Sequence, residues 1–374
     1  MAGRPLWGAS IALIALLVLS GCGLFSTAPQ PSPSSSQPLE PLTSRMKGMT
    51  QAGYTTNVFN TAAVRNSIIH LRSDGVNWLA IQVAWYQTNN SSTVIAPNAK
   101  TPTDASVTRL IQLAHQEGMR VFLNPFVNSM VGSGWQALFH PRSVSAWFSS
   151  FDHYLAHYAA LAQTDHADLF AIGDEFDSLD HVPAYEPYWV KAIKTARHYY
   201  HGPITYGANY PNYQSVTFWK LVDDVGIDAY FPLSQALNPT VAQLAQAWNL
   251  EANKIENWRR RAGLAHKGFL VTELGYPSEN GAAAMPGAWF PDQPVNLALQ
   301  QKLYSATFKT LWQRPWVKGI MWFWWANPSN PDWRGGPRDN GYTVRGKPAQ
   351  QVLKHYFTQS HAPASQHNGT SAPS

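Results

Sequence analysis

The chain has 374 residues, room for two average domains or for one α/β barrel of about 250–300 residues. Only 13% of its residues are charged, and the formal net charge of +5 comes from scattered cations, with Arg259, Arg260 and Arg261 as the one run. That distribution argues against nucleic acid as a partner and leaves the run as a solvated helix face after Glu256, while a lone cysteine, Cys22, excludes a disulfide framework.

The first element is an export signal. Arg4 precedes "IALIALLVLSGC", whose apolar part, Ile11 to Leu19, is too short to span a bilayer comfortably and has the character of a signal-peptide core. Leu19-Ser20-Gly21-Cys22 follows directly and has the form of a bacterial lipobox, in which Cys22 becomes the lipidated first residue of the mature chain. An ordinary cleaved signal or an uncleaved anchor is the alternative. The expectation is a signal peptide over residues 1–21 and a lipid-anchored protein at the cell membrane, facing the extracellular side. Residues 22–43, rich in Pro and Ser without periodicity, form a tether, and residues 360–374 have the same composition and form a disordered tail. Residues 44–359 are expected to be a single folded domain, monomeric, with a membrane contact only through Cys22.

Within that domain short apolar runs alternate with longer amphipathic stretches. Candidate strands are Met46–Thr50, Trp78–Ala84, Arg120–Pro125, Asp168–Gly173, Ile204–Ala208, Val225–Tyr230, Gly268–Glu273 and Gly319–Trp325. Helical patterns such as "VTRLIQLAHQEG" and "WFSSFDHYLAHYAALAQ" lie between them, and a last helix falls around Pro348–Phe357. Eight strand and helix units of this kind predict an α/β fold, a (β/α)8 TIM barrel in one domain. The strands are apolar throughout rather than alternating, as expected where both faces of a parallel sheet are covered.

A barrel of this type carries its site at the carboxyl ends of the strands. Those ends read "AWYQ" (84–87), "NPFVN" (124–128), "GDEFD" (173–177), "GANY" (207–210), "DAYFP" (228–232), "TELGY" (272–276) and "WFWWAN" (322–327). Glutamates, asparagines, tyrosines and tryptophans converge, with no phosphate loop, no Ser-His-Asp set and no metal cage. Glu175 and Glu273 stand after the fourth and seventh strands, which face each other across a barrel mouth. Two carboxyls about 5–5.5 Å apart are what retaining glycoside hydrolysis requires, one attacking the anomeric carbon and the other protonating the leaving oxygen. The chemistry needs no metal and no cofactor. Asp174, Asp177 and Glu273 are like charges that should raise the pKa of Glu175; the alternative for the two aspartates is capping of the following helix.

The 16 Trp, 16 Tyr and 16 Phe exceed what a core of this size needs, and flat rings with polar edges suit sugars. Trp324 and Trp325 are even candidates for a substrate platform, Trp333 on the long Pro/Gly loop is another, and Tyr276 either hydrogen-bonds Glu273 or caps its strand. His153 and His157 have the spacing of a helical zinc pair, but without an adjacent Glu or a third ligand they fit a wet helix face or interhelix hydrogen bonds better.

"KGMTQAGY", "GVNWLAIQVAWYQ", "DLFAIGDEFDSLD", "ITYGANY", "FWKLVDDVGIDAYFPLS" and "LVTELGYPS", in this order, resemble glycoside hydrolase family 113, a group of (β/α)8 β-mannanases within the clan of retaining glycosidases. The resemblance runs over nearly all of Met46 to Phe357. It implies that Glu175 is the acid/base and Glu273 the nucleophile, and that Trp85, Asn209, Tyr230 and one tryptophan of 322–325 line the sugar subsites. Two positions depart from the pattern: Asp174 stands where many clan members carry Asn, and Asn124 where the family pattern carries lysine. Both fall where sugar hydroxyls are read. The resulting expectation is hydrolysis of a β-linked glycan, with mannan or manno-oligosaccharides leading. Another β-glycan, or a catalytically silent lipoprotein that captures sugars, is the alternative.

Overall fold

Each of the eight apolar runs forms a strand. In the computed structural model, described over residues 37–132, 134–288, 292–327 and 335–359, these are β1 (Met46–Gly53), β2 (Trp78–Gln87), β3 (Arg120–Ser129), β4 (Leu169–Asp174), β5 (Ile204–Asn209), β6 (Asp224–Asp228), β7 (Gly268–Leu274) and β8 (Val317–Trp322). They pair in parallel in chain order and close through β1 and β8 into an eight-stranded barrel. The helices between them are α1 (Ala62–Ser73), α2 (Asp104–Gln116), α3 (Val144–Thr164), the single turn α4 (Asp177–Asp180), α5 (Glu186–Tyr199), α6 (Val241–Arg261), α7 (Leu297–Lys309) and α8 (Pro348–Thr358). This is a (β/α)8 TIM barrel. The signal, the lipobox Cys22, the tail and Trp333 lie outside the described residues.

The strands read as apolar because two cores use their two faces. Leu79, Ile81 and Val83 of β2, Val121 and Leu123 of β3, and Phe170 and Ile172 of β4 pack outward against the helices. Their neighbours Trp78, Ala80, Phe122, Leu169 and Ala171 point inward and, with Met46, Leu270 and Met321, plug the lower barrel. Several helices begin at the cap residues the chemistry prefers: Thr61, Thr103, Ser143 and Asn296 each accept a backbone N–H, and Thr240 forms a full capping box with Gln243. Each such cap is worth about 1 kcal/mol.

Three expectations change. β2 and β3 run on to Gln87 and Ser129, ten paired residues in unbroken register, because the two long edges support each other beyond the barrel rim. β8 ends at Trp322, so Phe323, Trp324 and Trp325 belong to the loop, where a cis peptide joins Phe323 to Trp324. The arginine run is also not one solvated face. Arg260 pairs with Glu256 on the surface, but Arg259 is buried, donates to the carbonyls of Ala265 and Lys267, and lies over the rings of Phe269 and Trp316.

Candidate active site

Above the apolar plug the barrel interior turns polar, and three irregularities in the sheet decide what points into it. The β4 and β5 pairing slips between Ala171 and Asp174, the β6 and β7 pairing slips at Asp228 opposite Glu273, and the β7 and β8 pairing slips between Val271 and Leu274. Such bulges re-aim side chains. Here they let Asp174, Asp228 and Glu273 all reach one space.

Glu273 is nearly buried, and its carboxylate accepts hydrogen bonds from Gln82 Nε2 of β2 and from the Tyr230 hydroxyl, the latter at 2.9 Å. Glu175 begins the loop after β4 with φ +48°, a left-handed conformation that costs a non-glycine residue about 1–3 kcal/mol. Neighbouring bonds hold it there: Glu175 N–H donates to Gly207 O at 2.7 Å, Phe176 N–H to the Tyr206 oxygen at 2.8 Å, and the Tyr206 hydroxyl to Asp180 Oδ2 at 2.8 Å. The Glu175 carboxylate accepts the indole N–H of Trp135 at 2.5 Å.

Every carboxyl of the mouth is pushed upward in pKa, and burial is the largest cause for each. Glu175 rises to about 8, with repulsion from Glu273, Asp177 and Asp180 adding to burial and the Trp135 bond opposing. Glu273 also rises to about 8, from burial and the charge of Asp174, against the bonds from Tyr230 and Gln82. The sequence expectation for Glu175 has the right direction, with desolvation ahead of charge. Asp174 rises to about 8, Asp180 to about 7, and Asp228 well above the carboxylate range. Capping does not explain the aspartates. The turn α4 has no side-chain cap, and Asp177 instead accepts from Asn209 and Asn212, both at 3.0 Å.

The expected site residues divide into two groups. Glu175, Glu273, Asp174, Asn124, Asn209 and Tyr230 do converge, with the Asn124 amide acting on Asp174 and Asn209 holding Asp177. Trp324 joins them, in a mouth cluster with Tyr54, Tyr230, Phe323 and Tyr342. Trp85, Tyr276 and Trp325 face the other way. Trp85 projects from β2 onto α3, against Tyr154, His157 and Tyr158. Tyr276 bonds Trp248 and Thr307 among the outer helices rather than Glu273. Trp325 donates to Ser67 and packs on His70 of α1. In each case the side chain falls on the outward parity of its strand or loop. His153 and His157 are taken up by Ser149 O and Asp104, the latter an interhelix bond.

Four participants went unnoticed in the sequence. Gln82 and Asp228 were visible as lone polar residues within apolar strands, a signal of an inward polar layer. Trp135 and Tyr342 sit in long loops and carried no local signal.

Residues 50–347 match the sequence profile of Glycoside Hydrolase Family 113. Among solved structures the chain is similar to the GH113 β-mannanase AaManA from Alicyclobacillus acidocaldarius in complex with ManMIm, at 26% identity and TM-score 0.74 over 84% of this chain and 97% of that one. A GH113 β-1,4-mannanase structure is 25% identical, with TM-score 0.74 over 84% of this chain and 99% of that one. A further GH113 β-1,4-mannanase, solved as a complex, shares the fold at 24% identity and TM-score 0.75, again over 84% of this chain and 99% of that one. No curated protein matches the chain in sequence. The matched stretch begins inside β1, ends one residue before α8 and takes in all the strand ends that bear the carboxyls and aromatic rings, so the chain belongs to glycoside hydrolase family 113 and is a glycoside hydrolase.

Proposed function

We propose that this enzyme cleaves β-1,4-mannan or manno-oligosaccharides with retention of anomeric configuration, Glu273 acting as nucleophile and Glu175 as acid/base. The observation that carries the reading is the unequal hydrogen bonding of the two glutamates, since burial and neighbouring charge raise both to about 8. Glu273 accepts two donors, Gln82 and Tyr230, which favour its ionised form. Glu175 accepts one indole N–H and sits among Glu273, Asp177 and Asp180, whose like charges favour the protonated form.

In the first step a Glu273 carboxylate oxygen bonds to the anomeric carbon while the Glu175 proton passes to the departing glycosidic oxygen. In the second, Glu175, now ionised, takes a proton from water, the water oxygen bonds to the anomeric carbon, and the ester to Glu273 breaks. Two displacements restore the starting configuration. Trp324, with Tyr54, Tyr342 and Trp135, supplies ring surface for the sugars around the scissile bond. The sugar preference follows the solved β-mannanases that the chain resembles. The departures at Asp174 and Asn124 favour a second reading, preference for a different β-glycan.

Hydrolysis of β-mannan, glucomannan, β-glucan and xylan, beside Glu175→Gln and Glu273→Gln, tests this. Release from mannan that both variants lose by about a thousandfold or more is the expected result. Tight oligosaccharide binding without release from any glycan would replace it with the sugar-capture reading. We also propose export and lipid anchoring at Cys22, supported by the sequence from Ile11 to Cys22. Incorporation of labelled fatty acid in the producing cell, abolished by Cys22→Ser, is the outcome that supports it.

A further inference from the structure

Two buried carboxyls of the mouth take no part in the displacements, Asp174 at the end of β4 and Asp228 at the end of β6. They come from strands that are not neighbours and meet over Gly207 of β5, which pairs with Asp174 on one side and Gly226 on the other. A methyl group at Gly207 would strike Asp174 Oδ1 and come within 2.9 Å of Asp228 Oδ2. Glycine is what allows the two carboxyls to close across the intervening strand.

Asp228 is 0% exposed and Asp174 3%. Gln136 Nε2 donates to Asp174 Oδ2 at 3.3 Å, and the Asn124 amide acts on Asp174 from β3. Neither Asp174 Oδ1 nor either oxygen of Asp228 has a donor in hydrogen-bonding geometry, the Thr272 hydroxyl acting on Asp228 from outside it. Three acceptor atoms packed together away from water are costly as parts of two carboxylates. The charges acting on the pair are Glu175 and Asp177 from the loop and turn after β4, and Glu273 from β7, all of one sign. The remaining titratable neighbours are phenols that ionise only at high pH: the Tyr154 hydroxyl of α3 feels Asp174, and that of Tyr230 feels Asp228. One proton resolves the conflict, because it makes an oxygen of one carboxyl a donor to the other.

We propose that Asp174 and Asp228 share a single proton, and that this positioning pair keeps one negative charge, rather than two, beside the catalytic glutamates. Asp174 then stands next to Glu175 as a neutral hydrogen-bonding group, close in shape and charge to an amide. Burial acts in the same direction, raising both aspartates above the ordinary carboxylate range, so the pair retains its shared proton where a free aspartate would have lost it. The consequence is kinetic. A second full charge here would raise Glu273, already at about 8, further and move ionisation of the nucleophile still farther above neutral pH. The inference rests on the assignment of Glu273 and Glu175 as the catalytic pair.

The test uses the full chain with aspartate labelled at its side-chain carboxyl, read without substrate by infrared difference at pH about 6–7, where free aspartate is ionised. Asp180, at about 7, contributes a protonated-aspartate carbonyl band of its own, and a second such band is expected beside it, lost in both Asp174→Asn and Asp228→Asn and kept in Glu175→Gln. Either Asn variant supplies the donor itself and releases the proton, so loss in both marks sharing. No second band in the wild type, or its survival in either Asn variant, overturns the proposal.

The pH profile of hydrolysis reads the positioning role. Asp174→Asn should leave the acidic limb of the kcat/KM profile where it is, because an amide replaces a neutral carboxyl and the charge of the pair is unchanged. Asp228→Asn fixes the full charge on Asp174 and should lower kcat/KM near neutral pH about tenfold, with the acidic limb moved up by about one pH unit. An unchanged profile in Asp228→Asn overturns the role even where the band behaves as expected. Hydrolysis surviving in Glu175→Gln would instead overturn the acid/base assignment, and would leave the aspartate signal as it was.

Discussion

The Tyr230 hydroxyl and the Gln82 amide both favour the ionised form of Glu273, the nucleophile of the proposed mechanism. Tyr230→Phe removes one of them. The Glu273 pKa then rises, so the acidic limb of kcat/KM should move to higher pH and kcat should fall by about tenfold or more, measured across pH about 4–9. Trp135→Phe acts on the other carboxyl. Its indole N–H favours ionised Glu175, so its loss should raise Glu175 and carry the alkaline limb upward, leaving the acidic limb in place. Opposite limbs moving in the two variants separates the roles. Trp324→Ala should raise KM for oligosaccharides about tenfold with a smaller change in kcat, because in the proposed mechanism its ring is surface for bound sugar in ground and transition states alike.

The strands fix these residues through parity, and parity is where reading from sequence succeeded and failed. The eight apolar runs, the alternating helices and the two strand-end glutamates were legible, because a buried parallel sheet writes itself as uninterrupted apolar segments. The facing of Trp85, Tyr276 and Trp325 was not. Bulges beside Asp174, Asp228 and Glu273 shift the alternation by a residue, and β8 stops at Trp322 before its ring-rich tail, while β2 has no slip and Trp85 simply shares the outward face of Leu79, Ile81 and Val83, which an all-apolar strand does not mark. No local pattern announces a bulge. The same elements yield a stability prediction: Gly207→Ala drives a methyl into Asp174 and Asp228 and should destabilise the protein by about 1–3 kcal/mol, seen as a lowered Tm. Arg259→Ala, which strips the Ala265 and Lys267 carbonyls of their donor and uncovers Phe269 and Trp316, should cost about as much.

Over the whole molecule, the mouth gathers carboxyls whose pKa values are raised on folding, with Asp174, Glu175 and Glu273 each at about 8. The unfolded chain titrates these groups near pH 4, so between pH about 4 and about 8 the folded state binds more protons than the unfolded one. Stability is therefore fullest at the acidic end of that window and is lost as pH rises through the folded values. The wild-type Tm should fall between pH about 5 and about 8, and Glu175→Gln should flatten the fall and exceed the wild type at pH about 8. A Tm that rises over that range would mean the carboxyls are ionised and paired in the folded protein. The catalytic arrangement is thus bought with stability at neutral pH, and low surface charge does nothing to offset it.

The most direct measurement of the two-glutamate mechanism is the anomeric configuration of the first product released from a manno-oligosaccharide, followed by proton NMR before mutarotation sets in. The β-anomer should form first, with the α-anomer growing in later. An α-anomer formed first would mean inversion, with water rather than Glu273 attacking the sugar, and would contradict the roles given to Glu273 and Glu175.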